Sequence, residues 1–216
     1  MATSENEFKL GIPFVRSLGT IGEYWDSRAQ AWYAHEPLGD KGIITLIQKQ
    51  LWPFLNYLDK RNSVLDIAAG ANNAVYYPTG FDMLVVTALD ASPEALKLNP
   101  SGHKKLADAR MPLEYPDDSF DAVISVFGMR YFENQEAVIL EALRVLKPGM
   151  WAIFVDLRNN GHPLSVREFK SEELKAFLIA RGFRGIQREI LRPETGFNDQ
   201  LELLFVRKPS SVTPKR

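Results

Sequence analysis

Short apolar runs, each followed by the start signal of a helix, constrain the fold of this chain most. Residues 64–67, 83–89 and 122–127 are rich in β-branched side chains and precede turn-forming residues, as buried strands do. After the second run, Ser92 suits the N-cap of a helix and Pro93 its first position. Strands that alternate with helices predict an α/β protein whose parallel sheet is covered on both faces.

The second half of the chain extends this pattern. Residues 134–146 carry an apolar helical face, and residues 151–155 form a further strand candidate. Ser171 is predicted to cap the next helix, because two glutamates follow it in the first turn. The last two strands, near 183–191 and 201–207, flank a turn-rich segment, so we expect them to finish the sheet with an antiparallel edge.

Two amphipathic helices are predicted upstream, over residues 22–35 and 40–58. We expect the second to pack on the sheet. The first is dense in aromatic side chains, which are Tyr24, Trp25, Trp32 and Tyr33. Such density suits a lid over a ligand site, and plain packing on the sheet is the alternative. Trp52 and Trp151 lie in apolar runs and are predicted to be core residues.

Composition narrows the classes of function. The 216 residues hold 26 basic and 27 acidic side chains, so no net field favours nucleic acid or an anionic membrane as a partner. Without cysteine there is no disulfide, thiolate metal site or cysteine nucleophile. We predict no metal site, since Asp117, Asp118 and Asp121 suit turns and caps better than a cluster of ligands. With neither a leader-like start nor an apolar run of roughly 20 residues, the chain is expected in the cytoplasm.

The residues that directly follow the predicted strands point to a ligand. Ligands of an open parallel sheet lie outside the carboxyl ends of its strands. Gly70 follows the first strand, Asp90 ends the second, and Asp108 follows a probable third strand near residues 104–106. Glycine lets the backbone approach a ligand closely, and an acid after the second strand can accept both hydrogen bonds of a ribose diol. A nicotinamide dehydrogenase is disfavoured, because the G-x-G-x-x-G fingerprint is absent.

Three segments in order resemble the class I S-adenosylmethionine-dependent methyltransferases. Residues 64–72 (VLDIAAGAN) resemble the first motif of that family, V-L-D-x-G-x-G-x-G. Residues 107–125 resemble its D-A-x-x-L-P-F-P-D-x-S-F-D-x-V stretch, and residues 143–149 read RVLKPG with a leading leucine. The resemblance covers about residues 62–207. It implies an α/β, Rossmann-like, doubly wound sheet of seven strands, mostly parallel with an antiparallel last strand, preceded by an N-terminal helical cap.

The resemblance also implies S-adenosyl-L-methionine as the cofactor and assigns residues to it. Asp66 and Gly70 would hold its methionine end, Asp90 its ribose, Asp108 and Ala109 its adenine, and Phe127 the wall beside the sulfonium. The full set of expected cofactor-binding residues is Asp66, Ala68, Gly70, Asn72, Asp90, Ala91, Asp108, Ala109, Phe127, Tyr24 and Tyr33. The expected organisation is a cap over 1–60, a methyltransferase domain over 61–208 and a disordered tail over 209–216, forming one structural domain.

The sequence indicates less clearly which residues would act on the acceptor of the methyl group. His162, His35 and Tyr131 are candidates for a catalytic role, but none has a flanking signature. We therefore predict methyl transfer to a small-molecule acceptor by SN2 attack, driven mainly by proximity and desolvation. The alternative is a non-catalytic methyltransferase-like domain that serves as a binding partner or scaffold. Asn72, at the usual place of a glycine, and Pro78, in a short connection, motivate that alternative.

Overall fold

A seven-stranded sheet organises the part of the chain that the computed structural model describes, which is residues 25–26, 29, 41–71, 77–78, 80–158, 165–192 and 200–210. In chain order the elements are α1 (Lys41–Leu55), β1 (Val64–Ile67), β2 (Val86–Asp90), α2 (Pro93–Leu98), β3 (His103–Leu106), β4 (Phe120–Val126), α3 (Gln135–Val145), β5 (Leu146–Leu157), α4 (Ser171–Ala180), β6 (Gly185–Leu191) and β7 (Leu201–Arg207). Short 3₁₀ turns over Met83–Val85 and Met129–Tyr131 precede β2 and follow β4.

The strand order is β3-β2-β1-β4-β5-β7-β6, and only β7 runs antiparallel to its neighbours β5 and β6. This confirms the predicted α/β sheet of seven, mostly parallel strands. The predicted antiparallel last strand is confirmed as well: β7 pairs antiparallel with both β5 and β6, and it lies inside the sheet while β6 forms the edge. The cause is burial: residues 201–206 are buried without interruption, whereas β6 mixes exposed and partly buried positions and tolerates an open side.

Helix α1 covers one face of the sheet, as predicted for residues 40–58. Its buried side chains recur every fourth residue and pack against the strands; they are Ile43, Ile47, Leu51 and Leu55. Each such aliphatic side chain contributes about 1.5–3 kcal/mol on burial. Trp52 lies beside this stripe and is 52% exposed, so its prediction as a core residue is wrong. Trp151 is partly buried against the same face.

Helices α3 and α4 cover the other face and begin in different ways. The side chain of Asn134 caps α3 by accepting from the Ala137 N–H at 3.0 Å. Ser171 does not cap α4, contrary to the prediction; it is the first helical residue and Lys170 precedes it as the N-cap. The Ser171 N–H and hydroxyl both donate to Glu202 of β7. A carboxylate from a distant strand therefore replaces the local cap.

The start of α2 agrees with the sequence. Ser92 is its N-cap and accepts from the Ala95 N–H at 3.0 Å, and Pro93 is its first residue. Because β1, β2 and β4 are parallel neighbours, their carboxyl ends at Ile67, Asp90 and Val126 meet at one edge of the sheet. Among the helices of the described ranges, none is long and apolar enough to cross a membrane.

Candidate functional site

A cavity opens at the edge where the carboxyl ends of β1, β2 and β4 meet. It contains about 840 Å³ of empty space, including its open mouth. Ligand sites are usually lined mainly by apolar groups with a few precisely placed polar ones. This cavity fits that description, since Trp25, Val126 and Phe132 line it together with Asp90 and Asp108.

Most of the cofactor-binding residues predicted from the sequence meet in this cavity. Those that line it are Ala68, Gly70, Asp90, Ala91, Asp108, Ala109 and Phe127, and the catalytic candidate Tyr131 joins them. Asp66 does not line it: its buried carboxylate accepts a hydrogen bond from the Tyr77 hydroxyl. Five predicted residues lie outside the described residues, namely Tyr24, Tyr33, His35, Asn72 and His162. The ligand-binding and catalytic roles stay predictions.

The turn after β1 holds its shape through Gly70. Both Ala68 and Gly70 adopt left-handed backbone, at φ of 56° and 55°. The Gly70 N–H donates to Asp90 Oδ2 at 2.8 Å, and its carbonyl accepts from Asn99 Nδ2 at 2.7 Å. Asn99 is the C-cap of α2, and sequence reasoning missed its contact with this turn. The peptide of Gly70 is thus fixed at both ends.

Asp90 presents its carboxylate to the cavity with capacity to spare. Oδ1 accepts from the Ser92 N–H at 2.9 Å, and Oδ2 accepts from Gly70. A carboxylate offers about four lone-pair sites, so it can still accept two hydroxyl donors. Burial raises the pKa of Asp90, and the negative charge of Asp26 raises it further, while the backbone N–H donors oppose the shift. Asp90 thus combines a place at the cavity with remaining acceptor capacity, and its binding of a ribose diol stays a prediction.

Asp108 lies at the far side of the cavity and is oriented by its neighbour Arg110. The backbone N–H of Arg110 donates to Asp108 Oδ1 at 3.0 Å, and its Nε reaches Oδ1 at 3.0 Å and Oδ2 at 2.9 Å. Arg110 itself lines the cavity, which sequence reasoning did not predict. The three other aspartates of this region, at 117, 118 and 121, pair instead with Arg144, Lys208 and Lys147.

The turn after β4 brings two strand ends unusually close. Phe127 adopts left-handed backbone at φ of 59°, and its N–H donates to the Val155 carbonyl at 2.7 Å. A Cβ on Gly128 would lie 2.6 Å from Ala68 Cβ and 2.8 Å from Ser125 Oγ. Only glycine fits there without displacement, so the floor of the cavity depends on this contact.

A buried ion pair supports the wall beyond Phe127. Arg130 and Asp156 are almost inaccessible to solvent, and the guanidinium pairs with the carboxylate at the end of β5. The Arg130 N–H also donates to Asp156 Oδ2 at 2.9 Å. The guanidinium carbon lies 5.4 Å from the ring centre of Phe127 and 5.9 Å from that of Tyr131. Sequence reasoning missed this pair, since neither residue reveals its partner by spacing.

Three described residues near the N-terminus lie across the cavity from these walls. The Trp25 ring meets Tyr131 edge-on, with ring centres 5.3 Å apart, and Ala29 packs with Ala71 and Ala95. Trp25 and Ala29 line the cavity. This placement is the one that a lid would need, but the lid predicted over residues 24–33 lies largely outside the described residues and stays a prediction.

Comparisons with known proteins concern the domain that contains this cavity. Residues 65–154 match a family described as a methyltransferase domain. A demethylmenaquinone methyltransferase of Tropheryma whipplei (strain Twist) is 36% identical over 93 residues, which are 40% of this chain and 38% of that protein. The chain spans less than half the length of the curated relatives that it matches first.

Solved structures share the fold at lower identity. The [4+2]-cyclase SpnF has a TM-score of 0.69 at 18% identity, covering 91% of this chain and 98% of that one. The 1,6-didemethyltoxoflavin-N1-methyltransferase of Burkholderia thailandensis has a TM-score of 0.63 at 16% identity, covering 91% and 92%. At such identities the likeness concerns the fold alone. Residues 65–154 thus match a methyltransferase domain, and the strand order and sequence motifs agree with those expected of a class I S-adenosylmethionine-dependent methyltransferase.

Proposed function

We propose that this protein binds S-adenosyl-L-methionine in the cavity and transfers its methyl group to a small-molecule acceptor. The observation that carries the proposal is the meeting of Gly70, Asp90 and Asp108 at one cavity, each just past or at the end of a different parallel strand. If each of these residues only stabilised its own turn, the three would have no reason to lie at one cavity.

Different residues of the cavity contact different parts of the cofactor in this proposal. The carboxylate of Asp90 accepts the two ribose hydroxyls, and Asp108 with Ala109 borders the adenine. The backbone of the turn at Ala68 and Gly70 approaches the methionine end, while Phe127 forms the wall beside the reacting methyl. When bound, the cofactor supplies a sulfonium methyl that leaves a neutral thioether behind. Asp66 acts indirectly: its carboxylate accepts a hydrogen bond from the Tyr77 hydroxyl and so supports the turn that follows β1.

In this proposal, methyl transfer is accelerated by aligning the two reactants and by excluding water from the site. The acceptor atom forms the new bond to the methyl carbon as the sulfur–carbon bond breaks, and its proton passes to solvent. The sulfonium is already a good leaving group, so the protein needs chiefly to hold the two reactants in line in a dry site. Apolar groups dominate the cavity, which favours such a site. Tyr131, His162 and His35 keep their place as candidates for assisting the proton transfer.

The acceptor is a small molecule, with aromatic quinols as the first class to test. The Tropheryma relative is named for demethylmenaquinone, and the rings of Trp25, Phe127 and Tyr131 would pack on a planar acceptor. No observation favours the non-catalytic alternative. We also propose the division into a cap over 1–60, a methyltransferase domain over 61–208 and a tail over 209–216. A cytoplasmic location is proposed as well, supported by the lack of cysteine.

Calorimetric titration of the purified chain with S-adenosylhomocysteine tests the cofactor part. Thermal unfolding should shift upward, because a ligand at 100 times its Kd adds about 2.7 kcal/mol of stability. A panel of reduced naphthoquinones and other small acceptors with methyl-labelled cofactor then tests the transfer. Absence of any binding at millimolar ligand would contradict the proposal, whereas binding without transfer would restore the non-catalytic alternative.

A further inference from the structure

Asp26 connects the described N-terminal residues to the polar wall of the cavity. Its Oδ1 accepts from the Ser92 hydroxyl at 2.6 Å and from the Glu94 N–H at 3.0 Å. Both donors belong to the first turn of α2 or its cap. Asp26 thus supplies a second cap to α2 from outside that helix, although it lies 66 residues away from Ser92 in sequence.

A continuous path of hydrogen bonds leads from Asp26 to the glycine turn. Ser92 donates its hydroxyl to Asp26 and its N–H to Asp90 Oδ1. Asp90 Oδ2 in turn accepts from Gly70, whose carbonyl accepts from Asn99. Ser92, which lies in the middle of this path, is fully buried, and burial strengthens the hydrogen bonds that it makes. The path ends on the two residues proposed to contact the ribose and the methionine end.

The neighbours of Asp26 hold it in place across the cavity mouth. Trp25 and Ala29 are four residues apart and lie on one helical side. Trp25 contacts Tyr131 on the β4 side, and Ala29 contacts Ala71 and Ala95 on the α2 side. Small alanine side chains allow this close approach. Asp26 is therefore seated by contacts with both sides of the cavity.

We propose that Asp26 is a positioning residue for the cofactor: it acts through Ser92 to hold the carboxylate of Asp90 in its ribose-binding orientation. The inference rests on the proposed function and extends it to a residue that has no part in the family motifs. Coupling of this kind is reciprocal, so binding of the cofactor at Asp90 should also strengthen the seating of Asp26 on α2.

The test measures the Kd of S-adenosylhomocysteine by calorimetry for four variants. Asp26→Ala should raise the Kd by about tenfold, within the usual range of coupling between sites. Asp26→Asn keeps the Oδ1 acceptor for Ser92 and Glu94, so it should retain most of the affinity. Ser92→Ala should weaken binding as Asp26→Ala does, and the double variant should be no weaker than the weaker single variant, because both act on one path.

Asn134→Ala is the matched control. It removes the side-chain cap of α3, which lies away from the cavity, and so should lower stability without changing the Kd. Hydrogen exchange at the Glu94 amide gives a second readout: bound ligand should slow it in the wild-type protein but not in Asp26→Ala.

The outcomes separate this inference from the proposed function. If the wild-type protein does not bind S-adenosylhomocysteine, both fall together. If the wild type binds and Asp26→Ala binds equally well, the positioning role alone is refuted. A Kd in Asp26→Asn as high as in Asp26→Ala would also overturn it, because the amide preserves the hydrogen-bond acceptor on which the argument depends.

Discussion

The two walls of the cavity use the same kind of residue, an aspartate at a strand end, for opposite purposes. On the β1–β3 wall, formed by Gly70, Asp90 and Asp108, the Asp90 carboxylate faces the cavity and accepts only backbone N–H groups. On the β4–β5 wall, formed by Phe127, Arg130, Tyr131 and Asp156, the Asp156 carboxylate is buried behind the rings and paired with a guanidinium. Asp90 therefore keeps acceptor capacity for a ligand, whereas the charge of Asp156 is compensated by Arg130.

The largest expected effect concerns the buried pair of the β4–β5 wall. Asp156→Asn leaves the Arg130 charge buried without compensation, which should lower the free energy of unfolding by about 3–5 kcal/mol. Chemical denaturation measures the loss. In folded protein the affinity for S-adenosylhomocysteine should stay near the wild-type value.

A paired replacement guards against a variant that does not fold. Arg130→Met combined with Asp156→Leu removes both charges and should be more stable than Asp156→Asn. If the single variant loses less than about 1 kcal/mol, as exposed pairs do, the pair does not support this wall and the contrast between the walls collapses.

On the β1–β3 wall we expect a substitution to change the affinity for the ligand. Asp90→Ala loses charged acceptor bonds to the proposed ribose, worth about 1.5–3 kcal/mol each, so the Kd of S-adenosylhomocysteine should rise at least about tenfold. Asp117→Ala is the control, because its carboxylate is mostly exposed and pairs with Arg144 away from the cavity. Equal affinities in the two variants, measured by calorimetry, would mean that Asp90 does not bind the ligand.

Gly128 lies where the two walls meet, and a methyl group there should strain both. Gly128→Ala places Cβ within 2.6 Å of Ala68 Cβ, and such overpacking typically costs about 1–3 kcal/mol of unfolding free energy. Adding Ala68→Gly removes the opposing methyl and should recover part of the loss. If the double variant is as unstable as the sum of the single variants, the two turns are not in contact.

The smallest effect is a pH dependence at Asp90. Its pKa is raised in the folded protein, first by burial, so folding favours the protonated form. Its contribution to stability is therefore fullest below the unfolded pKa near 3.9 and falls as pH rises through the folded pKa. Relative to Asp90→Asn, the wild type should lose unfolding free energy between pH 4 and pH 7. A difference that stays constant across this range would contradict the raised pKa.

The sequence predicted the β1–β3 wall well because its signals are local. A glycine after one strand and an acid at the end of the next can be read from spacing alone, and parallel pairing then brings Gly70 and Asp90 together. The start of α2 was predicted equally well, because Ser92 and Pro93 act within the helix that they begin. These features need no knowledge of which distant residues meet.

The remaining features depend on pairing between distant residues. Glu202 takes the donors of Ser171 from 31 residues away, so the local cap signal misleads. Arg130 finds Asp156 across 26 residues, and Asn99 reaches Gly70 across 29. Such contacts follow from the order of strands in the sheet, and the position of β7 between β5 and β6 could not be read from local spacing.

The position of β7 also constrains how the sheet can be completed during folding. Among the described strands β6 pairs only with β7, although β6 precedes it in the chain. Strand β6 therefore joins the sheet only through β7, either after β7 has docked antiparallel to β5 or together with it as a preformed pair. Pairing between strands that are far apart in sequence is slow, because the entropic cost of closing the loop comes before the favourable contacts of the paired strands. We expect a folding nucleus around β1, β4 and β5, and an unpaired β5 edge in any chain that stalls before β7 arrives, which would make that species prone to aggregation.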